Sequence, residues 1–171
     1  MKQQSTEKQK REMIQEHFAY ELVNLLNIEI LRKVNWSNEN SRQISINIFV
    51  DNILLHSRNL FEFFYDNNAK KTNFAYANHF IPNWKEIRPI KTEQIKQMEK
   101  RINNECTHLT YKRLVGIEHN GWILNDLRLD FFKVVKLFLD NLSKEYFNEN
   151  LKILHKQVNQ ILLKNETTNT D

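Results

Sequence analysis

Arg101 and His108 are the two side chains in this sequence whose types and spacing best suit chemistry. Six residues separate them, Ile102-Asn103-Asn104-Glu105-Cys106-Thr107. In a continuing α-helix seven steps make almost two turns, which puts both side chains on one face. A histidine near its ordinary pKa can take the proton of an attacking 2′-hydroxyl or return one to a leaving oxygen. A guanidinium can brace the extra negative charge on a pentavalent phosphorus. The pair therefore suits cleavage of an RNA phosphodiester without a metal ion or other cofactor, and Asn104, between them, is placed to help.

An arginine followed by a histidine after four to six residues is a short pattern. Arg11–His17 and Arg113–His119 match it as well. Arg11 lies in a polar start, and the third pair spans Gly116, which works against a shared helix face. Arg101–His108 stands at the end of a well-patterned helix with small polar residues between. The structural alternative is that both are polar residues at a helix end with no catalytic part.

A second polar group lies inside an apolar run, His56-Ser57-Arg58-Asn59-Leu60-Phe61-Glu62-Phe63-Phe64-Tyr65. Arg58 and Glu62 are four apart and can pair on one helix face. They form either a partly buried ion pair in a helix seam or, with Asn59, one wall of a cleft. Other constellations fare worse. Glu105-x-x-His108 is the single match to the paired Glu-x-x-His of a di-iron bundle, so no metal site is expected. Cys106 and His108, two apart on a helix, point in different directions, and a lone cysteine is usually buried filler. Glu118-His119 falls in a turn and reads as a solvated loop. Aromatics between Phe74 and Trp84 could stack bases, but covering the bundle is the commoner use. No phosphate-binding glycine loop or zinc-type cysteine spacing is present.

The elements that must hold these residues are helices. Two Gly and two Pro in 171 residues leave few turns, which argues against a multi-stranded β fold and for long helices. Apolar periodicity predicts a first helix over about Thr6–Val34 and a second, capped by Ser41, running to about Tyr65. The second is apolar on more than one side near its end, so that end should be deeply buried or at an interface. Asp66–Lys71 is a polar loop, and Phe74–Pro89 an ordered aromatic connection with a short helix. Thr92 caps a third helix that ends between Thr107 and Arg113. Gly116 and Gly121 bracket a turn. A nearly continuous apolar helix from about Trp122 to Leu142 is the central one, and Ser143 or Asn148 opens a fifth. The expected fold is an all-α, single-domain bundle of four to five helices, with a core over about residues 12–164 and polar ends.

No stretch approaches the roughly 18 apolar residues of a membrane span, and Met1–Glu12 lacks the apolar segment of a secretory signal. One cysteine fits a reducing, cytoplasmic setting. A net charge of +4 permits RNA as a partner without requiring it.

The stretch His56–Tyr65, the segment Asn78-His79-Phe80 through Trp84 to Pro89, and Cys106-Thr107-His108-Leu109-Thr110-Tyr111-Lys112-Arg113 together resemble a widespread bacterial family of small helical proteins. The likeness covers about residues 45–115 and extends, more distantly, to the HEPN superfamily. That resemblance implies a helical bundle that dimerises and sets an Arg-x(4–6)-His motif from each protomer in one composite cleft, as in ribonucleases of toxin–antitoxin and antiviral systems. It assigns Arg101 to phosphate stabilisation and His108 to acid–base work. In this chain Ile102 follows the arginine where members often have a polar residue. Thr110 holds the place of the tyrosine that is adenylylated in some toxins, with Tyr111 one further on, so that regulation is not carried over.

Two functions follow as expectations. One is a homodimeric endoribonuclease in which Arg101, His108 and Asn104 act on RNA. Arg58, Asn59, Glu62, Tyr111 and Arg113 would support them or contact RNA, and an antitoxin would restrain the activity. The other is a non-catalytic helical module that binds a partner or effector protein and uses the same residues structurally.

Overall fold

The computed structural model describes residues 5–26, 38–66, 74–106 and 124–168. Every regular element among them is helical, and they form an all-α, single-domain bundle. The first helical run comprises α1 (Glu7–Glu12), a π-helical stretch (Met13–Phe18) and α2 (Ala19–Leu26). The longest element is α3 (Glu39–Tyr65). A 3₁₀ turn (Ala77–His79) and the short α4 (Trp84–Ile87) lead to α5 (Glu93–Arg101), which continues as a second π-helical stretch (Ile102–Cys106). Then come α6 (Leu124–Asn141), a 3₁₀ turn (Lys144–Tyr146) and α7 (Glu149–Thr168).

Side-chain caps set most of the starts. The Thr6 hydroxyl accepts from the Gln9 amide, and the Gln9 side chain accepts from the Thr6 amide at 2.9 Å, a reciprocal capping box. Thr92 caps α5 as expected, accepting from the Ile95 amide. Of the two candidates for the last helix, Asn148 is the one that caps it, accepting from the Leu151 amide at 2.8 Å. Ser143 instead precedes the 3₁₀ turn. The start of α3 differs from the sequence expectation. Asn38, not Ser41, is the cap, and its side chain accepts from the Ser41 amide at 2.8 Å, so Ser41 lies inside the first turn. The expected continuation of the first helix to Val34, the Gly116–Gly121 turn and the start at Trp122 lie outside the described residues.

The core is aromatic. Phe138 on α6 meets Phe18, Phe63, Phe64 and Trp84 at centroid distances of 5.2, 5.2, 5.5 and 5.5 Å. Tilted and edge-on contacts at these distances are the favoured arrangements for aromatic quadrupoles. Phe61 sets its edge against Phe131 at 5.0 Å, joining α3 to α6. The end of α3 is buried on several sides, at Leu60, Phe61, Phe63 and Phe64, as its apolar pattern requires. α6 buries Phe131, Phe132, Val134, Val135, Phe138 and Leu139 and is the central helix. The aromatic connection covers the bundle: Trp84 is buried against Phe64, while Phe74 stays exposed and stacks on Tyr76. No helix among the described residues is long and apolar enough to cross a membrane.

Candidate functional site

The polar run on α3 divides into two faces with different jobs. Residues three and four apart share a helix face, whereas adjacent residues do not. His56 and Asn59 therefore look one way, and Arg58 and Glu62 another.

The first face meets Glu21 of α2. His56 Nδ1 lies 2.6 Å from Glu21 Oε2, and Asn59 Nδ2 donates to both carboxylate oxygens at 3.2 and 3.3 Å. A carboxylate can only accept, so Nδ1 carries the hydrogen. Nε2 meets the Asn52 amide nitrogen at 3.1 Å and accepts from it. His56 is 4% exposed, and the Tyr20 ring covers its edge at 5.3 Å. Both ring nitrogens are engaged and solvent is excluded, so this histidine fastens α2 to α3 and is not presented to a substrate. Asn59, expected beside the substrate, is part of the same fastening. Sequence reasoning missed Glu21 because nothing local to it signals a partner 35 residues away.

The second face forms a wall of an open cleft of about 310 Å³, within the size range of small-ligand sites. Arg58, Glu62, Tyr65 and Asp66 line it from α3 and its end, Glu99 and Asn103 from α5 and the π-helical stretch, and Lys91 from the connection. Arg58 and Glu62 both line this cleft, whereas Asn59, which the sequence reading placed with them, does not. The guanidinium Nε of Arg58 donates to Asn103 Oδ1 at 3.0 Å, which ties the two polar segments together. Lys91 holds Glu99 in an ion pair at 2.5 Å. Among the described residues the lining has two cations and three carboxylates, so it offers donors and acceptors in mixture.

Tyr65 has an unusual place in this wall. Arg88 and Lys91 stand over its ring at 5.2 and 5.0 Å from the centroid, within cation–π range. Its hydroxyl is buried and makes no hydrogen bond among the described residues. Leaving a buried hydroxyl unpaired costs about 1–3 kcal/mol. Burial pushes the phenol up to about 12, against the pull of the Arg88 charge, so it remains an O–H donor across the ordinary pH range. Arg88 also donates to the Phe64 carbonyl at 2.7 Å, and the Trp84 indole N–H donates to that same oxygen at 2.8 Å. This carbonyl belongs to the last turn of α3, where no amide of the helix itself remains to pair with it.

Arg101 is the final residue of α5, partly buried, and Asn104 follows in the π-helical stretch, also partly buried. Neither lines the cleft. Glu99 and Asn103, four apart, face it, whereas Arg101 sits two residues from each and so points away from their face. A π-helical turn closes on i→i+5 bonds, so each residue advances through a smaller angle than in an α-helix. The seven-step register that aligned Arg101 with His108 in an ideal helix is altered over Ile102–Cys106. His108, Tyr111 and Arg113 lie outside the described residues. Among the described residues no three His, Cys, Asp or Glu side chains are grouped to hold a metal ion. The cleft residues Tyr65, Lys91, Glu99 and Asn103 were not singled out from the sequence. Their signal was the i, i+4 repetition of polar residues, Arg58–Glu62–Asp66 and Glu99–Asn103, on two helices.

Compared with protein-family models, curated proteins and solved structures, the chain matches none.

Proposed function

We propose that the protein is a metal-independent endoribonuclease of the HEPN type that works in the cytoplasm as a homodimer. The observation that carries this reading is the 3.0 Å hydrogen bond from Arg58 Nε to Asn103 Oδ1. It joins the polar face of α3, at an open cleft, to the Arg101-Ile102-Asn103-Asn104 segment, which carries two of the proposed reacting groups.

In the proposed reaction His108 removes the proton of a ribose 2′-hydroxyl as its oxygen attacks the adjacent phosphorus. Arg101, with Asn104, stabilises the added negative charge of the pentavalent phosphorane. The P–O5′ bond then breaks, and the leaving oxygen takes up a proton. The products are a 2′,3′-cyclic phosphate and a 5′-hydroxyl. Arg58, Glu62, Tyr111 and Arg113 hold the strand, and a two-fold pairing of protomers brings two motifs to one cleft. Restraint by an antitoxin or a role in antiviral defence would follow from such an activity.

The test is incubation of purified protein with single-stranded RNA in excess chelator, with product ends mapped. Wild type should cleave, and His108→Ala and Arg101→Ala should each lose at least about a hundredfold in rate. Wild type cleaving no faster than His108→Ala sinks the proposal.

One observation favours a second reading, a non-catalytic module that binds a protein. Ile44, Ile48 and Leu55 are exposed at 60%, 66% and 47% along the first half of α3. Their spacing places them within about 40° of one another around the helix. Tolerated overexpression together with recovery of a stoichiometric partner, abolished by Ile48→Glu, would favour it.

A further inference from the structure

The first half of α3 is apolar on two opposite sides. Phe49, Val50 and Ile53 turn to the core. On the far side Ser41, Ile44, Ile48, Asp51 and Leu55 follow one another at alternating steps of three and four residues, the a and d spacing of a coiled-coil seam. Ile44, Ile48, Asp51 and Leu55 of this seam are exposed. Arg58 continues the spacing, and there the same chain covers the face, since Arg58 donates to Asn103 beside α5. Before that point the helix stands clear, and no residue from 38 to 52 is buried.

The polar residues of this half decide what fits the seam. Glu39 and Arg42 pair with each other at 2.7 Å, and helical spacing puts both on the other side of the helix from the seam. The seam is flanked by Asn40, Gln43, Ser45, Asn47 and Asn52, all uncharged. Asp51 is the charge that remains, and it makes no hydrogen bond or ion pair among the described residues. A second α3 laid parallel and in register would set Asp51 against the partner's Asp51. Laid antiparallel, with the two-fold at the level of residue 46, the two seams interlock. Ile44 then packs on the partner's Ile48, and Asp51 meets the partner's Ser41. That hydroxyl can donate to the carboxylate, and it lies in the first turn of a helix, where the dipole also favours negative charge. An unrelated helix would have to bring its own match for Asp51, whereas α3 carries its complement within itself.

We propose that the first half of α3 is a self-association surface that takes α3 of a second copy of this chain in antiparallel orientation. Three apolar side chains from each protomer make a small contact, so the pair is transient, with a Kd of about 10–100 μM. Arg58 stands twelve residues from the two-fold, so at 1.5 Å per residue the two Arg58 positions are about 36 Å apart along the paired helices. The two clefts therefore open at opposite ends. This contact is distinct from the two-fold pairing of the nuclease reading, which joins two motifs in one cleft, and it does not rest on that reading.

The test is sedimentation equilibrium of the full chain over about 1–500 μM, across which the average mass should rise from one chain toward two. Ile48→Glu enters the symmetric contact twice and should raise the Kd at least about tenfold, with the circular dichroism of wild type retained. Orientation is read in a Cys106→Ser background by mixing Ser41→Cys and Asp51→Cys chains in a glutathione buffer. The mixed 41–51 disulfide should exceed either like pair by about tenfold, because the antiparallel register alone brings those positions within bonding distance. The disulfide pattern stands by itself should Ile48→Glu fail to fold. A mass of one chain throughout, a Kd that Ile48→Glu leaves unchanged, or like pairs equal to or above the mixed one would overturn the proposal. A stripe reserved for a different protein, the second reading above, would give the first of these results. Cleavage is scored separately. Chains that pair but cut no RNA keep this contact and lose the nuclease, and chains that cut RNA but stay single at this face keep the nuclease and lose the contact.

Discussion

The contact between Glu21 and His56 can be tested quantitatively, because its partners are few and its burial is high. Replacing Glu21 with Ala removes the acceptor of two donors at once, the His56 Nδ1–H at 2.6 Å and the Asn59 amide at 3.2–3.3 Å. A buried donor left unpaired costs about 1–3 kcal/mol, at the upper end for the almost fully buried imidazole and the lower end for the partly exposed amide. The sum is about 4 kcal/mol. For a chain of this length that corresponds to a fall in Tm of about 8–16 °C. His56→Ala should cost a comparable amount, from the cavity and the lost bonds. The Glu21 carboxylate, 21% exposed, can then rehydrate in part. The double variant should cost about 2 kcal/mol less than the two single losses added together, since the second change removes a group the first has already orphaned. The assay is chemical denaturation of the four proteins followed by circular dichroism, with the slope checked for constancy. Additivity within about 0.5 kcal/mol would mean that the two side chains do not act as a pair, and the fastening of α2 to α3 would have to be sought in the apolar contacts alone.

Other consequences follow from the same arrangement. Trp84→Ala should lower stability by about 3–5 kcal/mol, from a buried aromatic side chain and the hydrogen bond to the Phe64 carbonyl; a loss under about 1 kcal/mol would contradict the packing described. Tyr65 is raised in the fold to about 12 from an ordinary value of 10.0, so the folded chain keeps a proton that the unfolded chain releases. Stability from this group is therefore complete below pH 10 and declines as pH rises toward 12, and Tyr65→Phe should flatten that decline in denaturation series run on both sides of pH 10. His79 is lowered by burial, with the Lys10 charge adding to it, so its neutral form suits the fold. Its small contribution is present above its ordinary value of 6.5 and lost as pH falls below that value; a ring-proton titration by NMR that places His79 above 6.5 would reverse the sign. Ile48→Glu, on the exposed stripe of α3, should shift Tm by no more than about 2 °C, because surface substitutions away from packed features stay within about 0.5 kcal/mol.

Much of the scaffold was legible in the sequence because its signals are local. The buried end of α3, the Thr92 cap and the apolar α6 each follow from spacing that a few neighbouring residues set. At the start of α3 two good capping residues, Asn38 and Ser41, stand three apart, and propensity alone does not rank them; the structure uses the first and folds the second into its turn. The site was less legible because its contacts are long-range. Glu62 is the partner for Arg58 that helix geometry suggests, yet its Nε goes to Asn103, 45 residues on. Asn59 is adjacent to Arg58 in the sequence, but adjacency on a helix separates side chains, and Asn59 donates to Glu21. The π-helical stretch after Arg101 has no sequence signature of its own, so the expected alignment with His108 rested on an ideal helix.

The Phe64 carbonyl gives the end of α3 a terminator borrowed from further along the chain. Two donors from the segment after it, one indole and one guanidinium, close a helix that its own residues leave open, and the same guanidinium lies against the Tyr65 ring. The pocket wall is thereby referenced to main-chain atoms and to the aromatic interior, not to freely rotating surface groups. A molecule lodged there would press on a surface that cannot yield without uncoupling Trp84 from the core. Occupancy should consequently register as slower amide exchange in the last turn of α3 and in α4, well beyond the residues it touches.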